Sequence, residues 1–340
     1  MAILGTRFVT LADVAKSDDK SVNGVAEVLL QSNAMLKDIM YKPMNDGTTH
    51  IESIRSALPA VYYRKANQAI PPSKTTIEER SFSAAHIESK SQMDAAVAER
   101  GGKDRVAWNR WNQAQGHIQA QGLELANLMI YGSPVSNPLK VPGFFDIYST
   151  LTPSEPTSKQ IVDAGGTGSN NCSILLVHWG EQSVFGIVPE GTQAGLQRID
   201  RSKGGNHVKI QAYDLNGQIG DLWGYEEQFM IDHGLVVKDY RQAGRIANID
   251  VNNLKSGVAA ADLIDLMISM SYKIYDGNMG KGVWYVNRTI EAFLHKQALT
   301  KVGSGAGLTY QNYQGEQVLM FLGRPVRRSD ALLSTEARVV

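Results

Sequence analysis

The segment from Tyr41 to Ser83 cannot bury itself, and that limits what the whole chain can become. It opens on Pro43-Met44-Asn45-Asp46-Gly47, a turn signal. β-prone residues follow at Thr48, Thr49, Ile51, Ile54, Val61, Tyr62 and Tyr63. Pro59 excludes a regular central strand, and Pro71-Pro72-Ser73-Lys74 makes a second break. Bulky apolar residues are few. An isolated hairpin is marginally stable in water. The segment is therefore either a disordered loop or an extended β-arm that docks on a neighbouring subunit.

The rest of the chain alternates between helical and strand-like periods. Residues 1–20 read as an arm with little core of its own, followed by an amphipathic helix from Val22 to Asp38. Asp104 caps a helix that runs to Tyr131 and stops at Gly132-Ser133-Pro134. On it Trp108, Trp111, Ile118, Leu125 and Met129 share a stripe with Gln115 and Gly122. Two tryptophans on that stripe imply packing on a broad sheet. Buried strands follow at Ser173–Trp179 and Val184–Val188, and a long β-rich stretch at Tyr225–Ile249. Between them lies a hairpin-like insertion, Arg198–Gly224. The last third carries a helix at Ala260–Ile274, with Leu263, Ile264, Met267, Ile268 and Tyr275 on one side. Then come a strand at Val283–Val286, a helix at Thr289–Leu299, a glycine-serine loop at Gly303–Gly307 and a strand at Gln317–Leu322. A turn at Gly323-Arg324-Pro325-Val326 leads into a last strand and tail, so the fold class is α+β.

Motifs that carry chemistry are missing from this sequence. Gly165–Ser169 lacks the flanking strand and helix of a dinucleotide site, and Gly277–Gly282 lacks phosphate-loop spacing. The seven histidines form no pair at helical spacing, and a lone cysteine, Cys172, anchors neither a zinc site nor an intrachain disulfide. There is no Gly-x-Ser-x-Gly elbow. The neighbouring carboxylates Asp18-Asp19, Glu78-Glu79 and Glu226-Glu227 point apart on loops or strands. Lys and Arg number 34 against 34 Asp and Glu, which argues against a chain whose main task is neutralising DNA phosphates. No apolar run reaches the roughly 20 residues of a membrane span, and Met1–Thr10 shows no secretory cleavage pattern. Synthesis and folding in a cytoplasm are expected. Two weak basic clusters, Arg64-Lys65 and Arg324 to Arg328, suit intersubunit salt bridges.

Several stretches, taken in order, carry a resemblance. They are Thr10-Leu11-Ala12-Asp13-Val14, Leu58-Pro59-Ala60-Val61 to Arg64-Lys65-Ala66-Asn67, and Pro72-Ser73-Lys74-Thr75-Thr76. Asp163 to Asn170, Pro189 to Gln197, Arg245 to Asp250, Tyr285 to Thr289, Asp330 to Leu333 and Glu336 to Val339 continue the set. Together they resemble the major capsid proteins of short-tailed phages related to epsilon 15, which have the Hong Kong 97-like fold. The resemblance implies an N-terminal arm and helix (1–40) and an extended β-loop (41–85). It implies a peripheral domain (86–150 and 172–252) with a spine helix at 104–131 and long β-strands. An axial domain (253–325) and a C-terminal strand and tail (326–340) complete it. In the founding fold the peripheral strand pair closes the chain. Here similar strands precede the unit at Val283–Leu299, which suggests permuted connectivity.

The implied function is a major capsid protein whose copies form pentamers and hexamers of an icosahedral shell around packaged phage DNA. No enzyme activity, cofactor or metal is expected. The implied partners are further copies of the chain, scaffolding and cementing or decoration proteins, a portal, and double-stranded DNA through weak nonspecific contacts, with no membrane. The implied place is the virion, after synthesis in the bacterial host cytoplasm. Arg64, Lys65, Lys74, Glu78, Glu79 and Arg80 are the expected intersubunit contacts. No lysine, asparagine and carboxylate trio for covalent cross-linking stands out. Two alternatives stay open: another virion component such as a portal, and a hydrolase with a dispersed site.

Overall fold

The computed structural model describes residues 34–47, 49–100, 102, 105–192, 194–202, 206–213, 217–256, 261–275, 280–300, 308–313 and 316–340. The strands are β1 (Tyr41–Pro43), β2 (Thr49–Ala57), β3 (Thr76–Ser83), β4 (Ala85–Asp94), β5 (Ile161–Asp163), β6 (Asn171–Trp179), β7 (Val184–Val188) and β8 (Gln197–Asp200). They continue with β9 (Val208–Tyr213), β10 (Ile219–Val237), β11 (Ala243–Asp250), β12 (Lys281–Val286), β13 (Leu308–Tyr313), β14 (Glu316–Phe321) and β15 (Arg324–Arg328). The longer helices are α1 (Val106–Tyr131), α2 (Leu263–Lys273) and α3 (Arg288–Thr300). The expected helix at Val22–Asp38 lies outside the described residues except for its last turn, as do Asp104 and the Gly303–Gly307 loop.

The described chain divides into two compact units. One holds His86–Leu125 and Gln193–Asp232, the other Ser32–Ala85, Ala126–Thr192 and His233–Val340. α1 and β10 each contribute residues to both.

The larger unit is organised by β6. Its run Ile174-Leu175-Leu176-Val177 does not alternate with polar residues, so both faces must be covered, and all nine residues of the strand are buried. Each aliphatic side chain removed from water this completely contributes on the order of 2 kcal/mol. β11 pairs antiparallel along one edge of β6 and β12 along the other. β15 extends the sheet parallel to β12, and β14 and β13 follow antiparallel. Ile174 and Leu176 share one core with Met267 and Met270 of α2, Ile290 and Leu294 of α3, and Phe321 and Val326 near the end of the chain. The expected division set 172–252 with the long helix and 253–325 apart. Because β6 lies between β11 and β12, strands from both expected domains share a single sheet and core. On α2, Met270 takes the buried place expected of Ile268 and Tyr275, which are 38% and 53% exposed.

In the smaller unit β10 begins at Ile219, ahead of the expected start, and forms an antiparallel hairpin with β9 from Tyr213↔Ile219 to Val208↔Gly224. β8 pairs with the next stretch of β10. The expected single stretch Tyr225–Ile249 is two strands, broken by a short 3-10 turn at Tyr240–Gln242. The expected burial of Trp108 and Trp111 is corrected. They are 37% and 48% exposed, while Asn109, Ala114 and Gln121 are buried. Polar side chains can occupy that face because their amide nitrogens find backbone carbonyls there. Asn109 Nδ2 donates to the Ala98 carbonyl at 3.1 Å, and Gln121 Nε2 donates to the Phe229 carbonyl at 2.7 Å.

The tail closes the larger unit through a buried ion pair. Arg245 on β11 donates from Nη2 to Glu336 Oε2 at 2.9 Å, with both side chains 6% exposed or less. Arg245 also donates to Ser173 Oγ at 3.0 Å and the Tyr148 carbonyl at 3.1 Å, and lies over the Phe145 ring. Glu336 accepts from Tyr131 Oη at 2.8 Å and from Ser173 Oγ. Burial pushes the Glu336 carboxyl up and the Arg245 guanidinium down, so desolvation opposes the pair even as its partners hold it. The last residues are tied further by Asn248, which exchanges two hydrogen bonds with the Val339 backbone. Replacing Glu336 by alanine leaves Arg245 charged, buried and unmatched, at a cost of about 3–5 kcal/mol. Urea unfolding should show that loss for Glu336→Ala, and a much smaller one for Arg245→Met combined with Glu336→Leu. Equal losses would mean that the pair is not coupled.

Candidate assembly interface

β2 and β3 form a two-stranded antiparallel hairpin that pairs with no other strand among the described residues, in register from Thr49↔Ser83 to Ala57↔Thr76. Its tip is the 18 residues from 58 to 75. Few bonds hold the tip: Gln68 N donates to the Lys65 carbonyl at 3.2 Å, and Ser73 Oγ reaches across to the Ala60 carbonyl at 2.9 Å. Asn67 takes a left-handed backbone at φ 65, which asparagine tolerates better than most residues. Apolar side chains at the tip face solvent, with Leu58 at 76%, Val61 at 89% and Tyr63 at 102% exposure. Of the two readings of this segment, an ordered β-arm is the one realised.

The hairpin is fastened at its base by a small satellite core of Met44, Phe185, Ile187 and Val236, with Phe82 and Ala84 packed against it. Two buried histidines flank that core. His50 sits edge-on to Phe185 with ring centres 5.6 Å apart, and its Nε2 lies 3.1 Å from Glu52, which in turn pairs with Lys238 at 2.9 Å. His233 on β10 is fully buried, and its Nδ1 lies 3.0 Å from Tyr41 Oη. Gly186 makes room for that contact, since a Cβ there would sit 2.7 Å from the Tyr41 ring. Sequence spacing gave no hint of His233, because its partner Tyr41 lies 192 positions away, nor of the ring contact between His50 and Phe185.

The six expected contact residues all fall on this hairpin and all are exposed. Arg64, Lys65 and Lys74 are on the tip, and Glu78, Glu79 and Arg80 on β3. Arg80 comes only within 3.9 Å of Glu78. Beside the base, Arg55, Glu78 and Arg80 face Lys238, Asp239, Tyr240 and Arg241 across a cleft of about 670 Å³. Its body side is occupied by internal pairs, notably Arg241 with Asp239 at 2.7 Å. In the second basic cluster, Arg327 and Arg328 pair within the chain, with Asp38 and Glu291. Cys172 is buried, and burial holds its thiol well above the usual range, so the thiolate needed for reactivity does not form. Among the described residues no group of three or more metal-ligating side chains gathers.

His233 makes the hairpin base acid-sensitive. Burial pushes its pKa down from 6.5 to about 4, so the folded chain keeps it neutral while the unfolded chain takes up a proton. Its contribution is complete above pH 6.5 and is lost progressively as pH falls from 6.5 towards 4. The full loss is about 3 kcal/mol. His86 works in the opposite sense, since its hydrogen bond to Asp232 raises its pKa, but it is half exposed. The measurement is therefore the difference in unfolding midpoint between the wild type and His233→Gln from pH 7 to pH 4. The gap should narrow on acidification. A constant gap would show that His233 does not titrate there.

Comparison with known proteins follows the same direction. A family model described as major capsid protein GP7 matches residues 17–340. A solved structure of bacteriophage epsilon15 aligns over 100% of this chain and 99% of its own, at 30% identity and TM-score 0.77. The bacteriophage JBD30 capsid aligns over 94% of this chain and 97% of its own, at 12% identity and TM-score 0.46. An encapsulin from Synechococcus elongatus PCC 7942 aligns over 70% of this chain and 94% of its own, at 9% identity and TM-score 0.42. A search of curated proteins finds no match.

Proposed function

The chain belongs to the GP7 family of major capsid proteins, and from that premise we propose how its copies hold a shell together. It is a shell-forming structural protein of a phage virion with the Hong Kong 97-like fold, not an enzyme. The observation that carries the proposal is the β2–β3 hairpin, ordered yet without a sheet of its own and ending in an apolar tip. A surface of that kind is stable in solution only when something covers it. The cover is a neighbouring copy of the chain.

On this reading copies form pentamers and hexamers that tile an icosahedral shell around double-stranded DNA. Arg64, Lys65, Lys74, Glu78, Glu79 and Arg80 meet charges on the neighbour. Each such pair at a surface contributes little, roughly 0–1 kcal/mol, but a closed shell repeats it in every copy. The extended loop is residues 41–85 and the closing strand and tail 326–340. The unit of α1, β4, β8, β9 and β10 acts as the peripheral domain, and the β6-centred sheet with α2 and α3 as the axial domain. Scaffolding, decoration and portal proteins complete the particle, DNA touches the inner wall through weak nonspecific contacts, and synthesis takes place in the bacterial host cytoplasm.

Electron microscopy of the purified chain, alone and with its scaffolding factor, tests the proposal. Closed shells or hexamer sheets are expected, and a monomer under every condition would sink it. A second expectation concerns Arg64→Glu, Lys65→Glu and Lys74→Glu together. These exposed changes should leave thermal stability within about 0.5 kcal/mol of the parent. Shell yield measured by sedimentation should fall sharply, and unchanged yield would remove these residues from the interface.

A further inference from the structure

The β2–β3 hairpin is fastened to the rest of its unit at its base, and one fastening cannot take up a proton where it stands. β1 leads into the hairpin and pairs with β7 over three residues, Tyr41 to Pro43. Besides that ladder and the satellite core, Lys42 pairs with Glu181 and Glu52 with Lys238. Tyr41 and His233 add an edge-on ring contact, with centres 5.7 Å apart. His233 is fully buried, and among the described residues its Nε2 has no partner. An imidazolium carries an N–H on both nitrogens. Protonation in place would therefore leave a charged donor at Nε2 with nothing to receive it. Nor is there slack to rearrange, since a Cβ at Gly186 would already sit 2.7 Å from the Tyr41 ring and 2.9 Å from Ile39 Cδ1. To admit the proton, the contact has to open.

Charged groups on the surrounding elements give the imidazolium no counterion. β7 has no ionisable residue. On β1, Lys42 is a cation, held by Glu181 and lying over the Phe185 ring. Ahead of β1, Asp38 is engaged by Arg327 and Tyr285. On β10 the neighbouring Asp232 accepts from His86, and successive strand side chains point to opposite faces. On β4, which pairs with β10, His86 also lies 3.5 Å from Glu88, and Lys90 pairs with Glu226. α1, which meets β10 through Gln121 and Phe229, carries His117, Glu124 and Tyr131 beyond Arg110.

We propose that His233 is an acid-operated latch on the arm: one proton frees β1 and the β2–β3 hairpin while the β6-centred sheet stays folded. Burial lowers the His233 pKa from 6.5 to about 4, so the closed arm excludes a proton that the open arm accepts. Opening is therefore favoured as pH falls from 6.5 towards 4, about tenfold for each pH unit. The acidic fastenings outlast this change. Burial would raise the Glu52 carboxyl, but hydrogen bonds from Lys238 and His50 outweigh it and hold it below the usual carboxylate range. The Lys42 hydrogen bond holds Glu181 low as well. The core shared by β6, β11, β12, α2 and α3 contains no histidine. At neutral pH the arm then keeps one direction, and in acid it swings. If the arm is the interface between copies, its contacts loosen with it, and only that consequence rests on the proposed function.

The test is amide hydrogen exchange of the purified, unassembled full chain between pH 7 and pH 4.5, with rates corrected for the intrinsic effect of pH. Protection of β1, β2 and β3 should fall about tenfold per pH unit below 6.5, or about a hundredfold by pH 4.5. Protection of β6 and β11 should stay constant. In His233→Gln, which has no charge to gain, the arm should lose this slope. His86→Gln removes the exposed histidine paired with Asp232 and should keep the wild-type slope. A flat wild-type profile, a slope that survives His233→Gln, or one abolished by His86→Gln overturns the latch. So does a parallel loss in β6, which would be global unfolding. Should His233→Gln fail to fold, the wild-type slope decides, since a single proton gives tenfold per unit and a much steeper fall needs other groups. None of these outcomes depends on whether shells form, so the latch can fail while the capsid reading stands.

Discussion

Arg245 brings a fixed positive charge into the middle of a sheet, and the larger unit is arranged around matching it. The matching carboxylate, Glu336, sits near the end of the chain. Before the tail arrives, β11 holds a buried guanidinium with only a hydroxyl and a carbonyl to receive it. Once it arrives, the same two carboxylate oxygens engage Ser173 on β6 and Tyr131 at the end of α1. A buried pair of this kind adds little net stability, because desolvation opposes it. What it supplies is order: the sheet, the helix end and the tail reach their places together or not at all.

The hairpin is built on the opposite principle. Its base rests on a four-residue satellite core and two buried histidines, and its tip on a few backbone and hydroxyl contacts. Small contact density of this kind marks the parts of a protein that open first. For a shell subunit the contrast has a use. On the proposed assembly, a rigid sheet would keep its shape in every copy while a loosely held arm could adjust to neighbours of slightly different geometry.

α1 shows where a sequence pattern misleads. Its length and its stop were legible, because Gly132-Ser133-Pro134 ends a helix, and the structure leaves no room for a Cβ at Gly132. Its buried side was not. Apolar periodicity pointed to the tryptophans, yet Asn109 and Gln121 are inside, since each finds a backbone carbonyl to receive its amide. Such partners come from other elements and leave no trace in local spacing. The tryptophans are left at the surface, Trp111 beneath the Arg198 guanidinium.

By itself the sequence determined the local elements: a β-arm broken at Pro59 and Pro71, a long helix, and a strand at Ile174–Val177 too apolar to have an exposed face. It also determined the absence of motif-borne chemistry, and its ordered stretches carried the family. These follow from period, turn residues and residue type, which act over a few positions. Tertiary structure alone decided which strands share a core, how Arg245 is neutralised from the far end of the chain, and which histidines hold the arm. The ion pair and the Tyr41–His233 contact join residues 91 and 192 positions apart, and β6 meets β11 across more than 60. Only the folded chain brings such residues together.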